Sequence, residues 1–254
     1  MFKRGLVSIS FRQSAPEVIS SAAEAAGLDV IEWGSDIHLP PCNRAQTDKI
    51  KALSASAGLS TPTYGSYFRL GLSPLPELES LIDTAIDLGA RVVRIWGGTE
   101  LVCPSDPGWD SLIRAAKDAA AMAKERGITL AIERHIKTVS ELSENAVRFL
   151  TEVDSDAMRS YWQPNQRHTH AENLRSAKEL APFTECIHAF NWQGKDKLPL
   201  AAAEAEWVEY LAEFLPYARE RDLPVLLEFM PDGRIESLAT ESVALDKIIK
   251  KCGI

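Results

Sequence analysis

Long hydrophobic runs are missing from these 254 residues: no stretch of about 18 apolar residues is available to cross a bilayer, and no basic segment leads into an apolar one as a secretory leader would. The expectation is a soluble, cytoplasmic protein with no membrane partner. Positive charge is also scarce, with 28 Lys and Arg against 36 Asp and Glu, so the net charge is −8. Nucleic-acid binding rests on neutralising phosphates, and this balance leaves no broad basic face for it. Cysteine is limited to Cys42, Cys103, Cys186 and Cys252, without CxxC or zinc-ligand spacing, which predicts reduced thiols and no thiol nucleophile. No G-x-G-x-x-G follows an early strand, which counts against an open dinucleotide-binding sheet.

What is present is a repeated alternation of strand and helix signals. Strands are predicted over residues 6–11, 28–33, 59–64, 91–96, 128–132, 158–163, 185–190 and 224–229. Helices are predicted between and after them, over residues 14–27, 44–57, 74–88, 107–126, 139–150, 172–180, 202–219 and 236–250, several of them closed by a glycine such as Gly27, Gly58, Gly89 or Gly127. The fifth strand lies in GITLAIERH, residues 127–135, where a buried apolar run stops at Glu133-Arg134-His135. Eight such units without a linker or low-complexity break predict one α/β domain over residues 1–254, a (β/α)8 barrel. The longest predicted loop, residues 99–109, reads equally as a lid or as a plain connection.

In such barrels chemistry collects at the C-terminal ends of the strands. All five histidines fall there: His38 after the second strand, His135 after the fifth, His168 and His170 after the sixth, and His188 within the seventh. Trp33, Trp96, Trp162 and Trp192 sit at strand ends too, which suits an aromatic wall for the apolar faces of a polyol, although rim aromatics also fill space. Glu133 and His135 share strand parity and so face one space. Glu133, His188 and Glu228 end the fifth, seventh and eighth strands, and barrel closure would bring them together above the barrel. Two carboxylates and an imidazole are ligands that Mn²⁺, Co²⁺ or Mg²⁺ accepts, with Gln163 at the end of the sixth strand as the fourth. A strand-end carboxylate taken alone also serves as a helix cap or a solvated end.

The order of Leu88-Gly89-Ala90, Ile132-Glu133, Cys186-Ile187-His188 and Leu227-Glu228 resembles the xylose isomerase-like TIM barrels, the sugar phosphate isomerase/epimerase superfamily, over essentially the whole chain. In that family Glu, Asp, His and Glu from strands five to eight usually hold one divalent metal. The resemblance therefore implies Glu133, His188 and Glu228 as ligands of such an ion, Mn²⁺ first among them. The second place departs from the pattern, because Tyr161-Trp162-Gln163-Pro164-Asn165 carries no Asp and offers Gln163 or, failing it, Asn165. A neutral ligand removes one negative charge and weakens divalent-ion binding.

The implied activity is isomerisation or epimerisation of a keto-sugar or related polyol. A proton would leave the carbon alpha to the carbonyl, with Glu133 and Glu228 as acid and base on opposite faces. Glu32, His38, Trp96, His135, Trp162, Asn165 and Trp192 are the candidate substrate contacts. Arg94 and Arg134 either hold an acidic substrate group or form structural ion pairs, the latter favoured. No glycine-rich phosphate cradle follows the last two strands, so an unphosphorylated substrate is expected. The alternatives are a metal-dependent dehydratase or lyase and a non-catalytic sugar-binding barrel. Barrels of this family often pair, which adds a homodimer to the implied partners.

Overall fold

The computed structural model describes residues 1–98 and 102–253. In chain order its strands are β1 (Phe2–Val7), β2 (Val30–Gly34), β3 (Thr63–Arg69), β4 (Val92–Trp96), β5 (Thr129–Glu133), β6 (Met158–Trp162), β7 (Thr184–Ala189), β8 (Asn191–Gln193), β9 (Asp196–Leu198) and β10 (Leu223–Leu227). Seven of these, β1 to β7, pair in parallel with their neighbours, and β10 closes the ring between β7 and β1. Strands β8 and β9 form a small antiparallel hairpin outside the ring, in the connection that leaves the end of β7.

Helices α1 (Pro16–Ala25), α2 (Arg44–Ser56), α3 (Leu75–Leu88), α4 (Trp109–Glu125), α5 (Ser143–Val153), α6 (His170–Leu180), α7 (Glu204–Glu220) and α8 (Leu238–Lys251) complete a (β/α)8 barrel. Their boundaries follow local chemistry. Gly89 ends α3 at φ +88°, a left-handed conformation that glycine adopts at little cost. Thr169 and Glu172 cap α6 reciprocally, each side chain bonding the other's backbone N–H.

The period of two along each strand separates two cores. Ile31, Trp33, Val93, Ile95, Leu130, Ile132, Trp162 and Ile187 face outward into the layer between sheet and helices, while Val7, Val30, Val92, Ala131, Tyr161, Cys186 and Leu226 fill the barrel interior. Each large apolar side chain so buried contributes roughly 1.5–3 kcal/mol, and the outer layer holds most of them. Towards the C-terminal ends of the strands the inward positions turn polar, and the site lies there.

Two expected strands sit elsewhere. The first begins at Phe2, since Phe2, Lys3 and Arg4 pair with Leu223, Pro224 and Val225, and residues 8–11 coil into a single 3-10 turn instead of extending. The third runs over Thr63–Arg69 in place of 59–64: Pro62 has no N–H to give a ladder, and pairing with β4 starts at Thr63. Of the predicted loop 99–109, residues 99–101 lie outside the described residues.

Candidate active site

Inward parity brings Glu32 from β2, Arg94 from β4, Glu133 from β5, Tyr161 from β6 and His188 from β7 into the barrel, joined by Gln163 and Glu228 just past β6 and β10. The deepest of these form an ionic floor. Arg94 Nε donates to Glu32 Oε1 at 3.1 Å, Arg94 Nη1 donates to Glu133 Oε2, and the Tyr161 hydroxyl donates to Glu32 Oε2. Burial opposes the Arg94 charge, yet Glu133 and Glu32 hold its pKa well above the ordinary value. Burial, reinforced by Cys186 and Glu32, pushes the Tyr161 phenol up, so it stays protonated and donates. The sequence at residue 65 makes room for this pairing. A Cβ on Gly65 would stand 2.5 Å from Glu32 Oε1 and 2.9 Å from Arg94 Nη2, closer than packing allows.

Above the floor, donor atoms gather around one imidazole. His188 Nδ1 lies 3.1 Å from Gln163 Oε1, 3.4 Å from Glu228 Oε2 and 3.8 Å from Glu133 Oε1. One ligand atom from each of Glu133, His188 and Glu228 lies within 4.8 Å of the others. Burial opposes an imidazolium here, but Glu228, Glu133 and Glu32 together raise the His188 pKa.

The residues present fit a divalent ion on two grounds. Ligands about 2.1 Å from an octahedral ion stand about 3 Å apart, close to the shorter of these separations. Charge is the second ground. Glu32, Glu133 and Glu228 are 0%, 3% and 4% exposed and carry three negative charges, against one positive charge on Arg94, itself 1% exposed. Buried charges need compensation. Within this cluster, and with His188 neutral as a metal ligand must be, two remain unbalanced, which is what one divalent ion supplies, and a carboxylate at position 163 would leave one in excess. The neutral Gln163 therefore matches the electrostatics of this barrel.

The cluster opens into a cavity of about 240 Å³ walled by Tyr67, Trp96, Phe190, Trp192 and Phe229, with Arg94, Glu133, Arg134, His135, Gln163, Asn165, Gln166 and Glu228 as its polar lining. Trp96 is stacked between the Arg69 guanidinium, 4.1 Å from its ring centre, and His135 at 4.1 Å. His135 Nδ1 donates to the Ile136 carbonyl at 2.9 Å, which leaves Nε2 as an acceptor. Phe229, directly after Glu228, takes φ +60°, an uncommon conformation for a bulky residue, with its N–H donating to Ser10 Oγ at 3.1 Å.

Of the expected substrate contacts, Trp96, His135, Asn165 and Trp192 line this cavity. Three others lie apart from it. Glu32 is enclosed in the floor, fully engaged by Arg94 and Tyr161. His38 is buried beside β2, its Nδ1 2.9 Å from Ser8 Oγ and its ring edge-on to Trp33. Trp162 has the outward parity of β6 and packs against Trp207, Tyr210 and Phe214, its indole N–H donating to Ser176 Oγ at 3.1 Å. Trp33 likewise points outward and donates to Ser54 Oγ at 3.1 Å.

The two arginines divide. Arg94 is ion-paired, whereas Arg134 meets no carboxylate among the described residues: it donates to the Gln163 carbonyl at 2.8 Å, Asn173 Oδ1 at 3.1 Å and His168 Nδ1 at 3.1 Å. Burial lowers its pKa to about 10. Tyr161, Tyr67, Phe190 and Phe229 were not among the expected site residues. Tyr161 shares the parity of Gln163 and Phe229 follows Glu228, which are the signals that point to them. All four cysteines are unbridged, and no described helix is long and apolar enough to cross a membrane.

Residues 20–190 match the family described as xylose isomerase-like TIM barrel. No curated protein sequence matches the chain. Among solved structures, a probable 3-DHS dehydratase involved in petrobactin synthesis from Bacillus anthracis superposes with a TM-score of 0.78 at 16% identity, covering 96% of this chain and 98% of that one. A xylose isomerase-like TIM barrel protein from Mycobacterium smegmatis, in complex with magnesium, gives 0.75 at 16% identity over 99% and 98% of the two chains. An L-ribulose 3-epimerase gives 0.71 at 16% identity over 99% and 97%. At these identities the likeness is one of fold.

Proposed function

The chain belongs to the xylose isomerase-like TIM barrel family, and we propose that it is a divalent-metal-dependent isomerase or epimerase of a keto-sugar or related polyol, acting by proton removal alpha to a carbonyl. The observation that carries this reading is the convergence of Gln163, Glu228 and Glu133 oxygens on His188 Nδ1 in a buried cluster of three carboxylates and one guanidinium. A divalent ion held by Glu133, Gln163, His188 and Glu228 would act as a Lewis acid, lowering the cost of negative charge on the substrate's carbonyl oxygen.

The two glutamates are not equivalent. One oxygen of Glu133 is bound by the Arg94 guanidinium, so accepting a proton there would break a buried ion pair. Glu228 has only the His188 imidazole within ion-pairing distance among the described residues, and it lines the cavity. We assign proton transfer to Glu228 and a holding role to Glu133. The C–H bond alpha to the carbonyl breaks, its electron pair moves toward the carbonyl oxygen, and Glu228 takes the proton and returns it to the neighbouring carbon, while the proton of the adjacent hydroxyl passes to the former carbonyl oxygen. The aromatic wall of Trp96, Phe190, Trp192 and Phe229 keeps water from the carbanionic centre.

The Arg94 to Glu133 pair also favours a second reading. Inversion at a stereocentre needs a second acid or base on the opposite face, and Glu133 would have to break a buried ion pair to serve as one. A dehydratase needs one: Glu228 would pass its proton to a β-hydroxyl, which departs as water.

Metal content of protein purified without chelator, compared with Glu228→Gln, tests the proposal, followed by NMR of ketoses incubated with the protein in deuterated water. Near-stoichiometric Mn²⁺ or Mg²⁺ that falls in the variant, with deuterium entering the carbon alpha to the carbonyl, is the expected result. A protein that stays metal-free after millimolar soaking, yet still binds sugars, would be a binding barrel instead.

A further inference from the structure

A second cavity of about 270 Å³ adjoins the first, sharing Pro164, Asn165, Gln166, Phe190 and Trp192 as common walls. Its far side is built by the β8–β9 hairpin and the starts of α6 and α7, elements that contribute nothing to the cluster around His188. Each cavity alone falls below the roughly 300 Å³ at which small-molecule sites commonly begin, and the two together exceed it.

The polar atoms of this second cavity have assignable roles. Arg134 Nη2 donates to His168 Nδ1, so the imidazole proton sits on Nε2. Among the described residues, the hydrogen-bond contact of Nε2 is with Asn165 Nδ2 at 3.5 Å, itself a donor, so that N–H finds no acceptor in it. Asn191 is 8% exposed and spends its amide N–H on the Pro199 carbonyl at 3.0 Å, which leaves Oδ1 as an acceptor on the cavity wall. The Trp192 indole N–H is buried without an acceptor. Glu206 adds a carboxylate at the rim, opposed to any anionic ligand. Both donors and acceptors thus stand around an aromatic wall formed by Trp192, Trp207 and Phe190. A polyhydroxylated ring, with hydroxyls that both donate and accept and C–H faces that lie on aromatic rings, satisfies this set. A phosphate, a carboxylate or an aromatic ring does not.

We propose that this second cavity binds a sugar unit joined by a glycosidic bond to the unit that reacts at His188, so that the protein acts on a glycoside and not on a free monosaccharide. The inference rests on the preceding functional reading only for which of the two units reacts.

The test is saturation-transfer NMR and calorimetry on the Mn²⁺-loaded full chain, with maltose, cellobiose, sucrose and trehalose against glucose and fructose. At least one disaccharide is expected to bind tighter than either of its monosaccharides and to receive saturation in both rings. Glu206→Ala and Ala203→Phe, which remove a rim group and fill the cavity without touching the His188 cluster, are expected to weaken that disaccharide about fivefold and leave monosaccharide binding unchanged. Saturation confined to one ring, equal affinity for disaccharides and monosaccharides, or no binding of any disaccharide overturns the proposal. Two-ring binding by a protein that holds no metal and exchanges no proton upholds the second subsite while removing the catalytic reading. Metal-dependent exchange on monosaccharides with a silent second ring does the reverse.

Discussion

The two sides of the site are built from opposed materials. On the side of β2, β4, β5 and β6, charge is locked: Glu32, Arg94, Glu133 and Tyr161 bond one another below 5% exposure, with Arg94 Nη2 left without a partner among the described residues. On the side of β7 and β10, His188 and Glu228 meet an aromatic wall, and among the described residues Glu228 has the His188 imidazole, and no guanidinium or ammonium, within ion-pairing distance. Two glutamates of one residue type at the ends of two strands thereby acquire different chemistry. The difference comes from Arg94, a residue on neither strand.

The comparison breaks most sharply at Glu228. Glu228→Gln is expected to cut turnover by about 10²–10⁴-fold while the fold persists, measured as deuterium exchange into the ketose that the parent protein turns over. On the locked side, Arg94→Met strands Glu32 and Glu133 as buried carboxylates with no cation, and a loss of about 3–5 kcal/mol in denaturant unfolding is expected. An unchanged midpoint would mean that the floor is not ionised. Gln163→Asp probes the charge balance between the two sides: Mn²⁺ affinity by calorimetry should tighten about tenfold, and the metal-free protein should melt lower, because a third unbalanced charge is buried.

Gly65→Ala pushes a methyl group against Glu32 and Arg94 and should cost about 1–3 kcal/mol without altering metal content. The smallest effect belongs to His38, at the rim of the locked side. Burial lowers its pKa below 6.5, so its neutral form is the folded one. Stability is therefore full above the unfolded value and declines as the pH falls below about 6.5 toward the folded value, a slope that His38→Gln should flatten in pH-dependent thermal melts.

Much of this was legible beforehand, and the failures share causes. Glycines closing helices and apolar runs spaced between them announced eight units, and strand-end Glu133, His188 and Glu228 pointed at one place because barrel closure converges strand ends. Tryptophans at strand ends misled because position along a strand does not give its face. Trp33 and Trp162 differ by one residue from the inward Glu32 and Tyr161, and that single step sends them to the helix layer. The start of β1 was hidden by Lys3 and Arg4, whose charges mask a strand that pairs with β10. Gly65 fell just past the expected third strand and read as loop, whereas it lies in β3 as a gap kept open for a guanidinium. Arg134 was expected among ion pairs, and nothing local in the sequence tells that its partners would be two side chains and a carbonyl beyond β6.

The tie from Glu32 through Arg94 to Glu133, with Tyr161 on its other oxygen, joins four strands at one level, with a sequence separation of up to 129 residues across a single bond. Mechanically it is a cross-brace inside a hoop. Widening the mouth on that side would have to pull apart opposite charges with no water at hand to replace them. Adjustment to a ligand is thereby pushed away from the hoop and onto the β8–β9 hairpin and the residue 164–168 segment, neither of which shares in that chain of bonds.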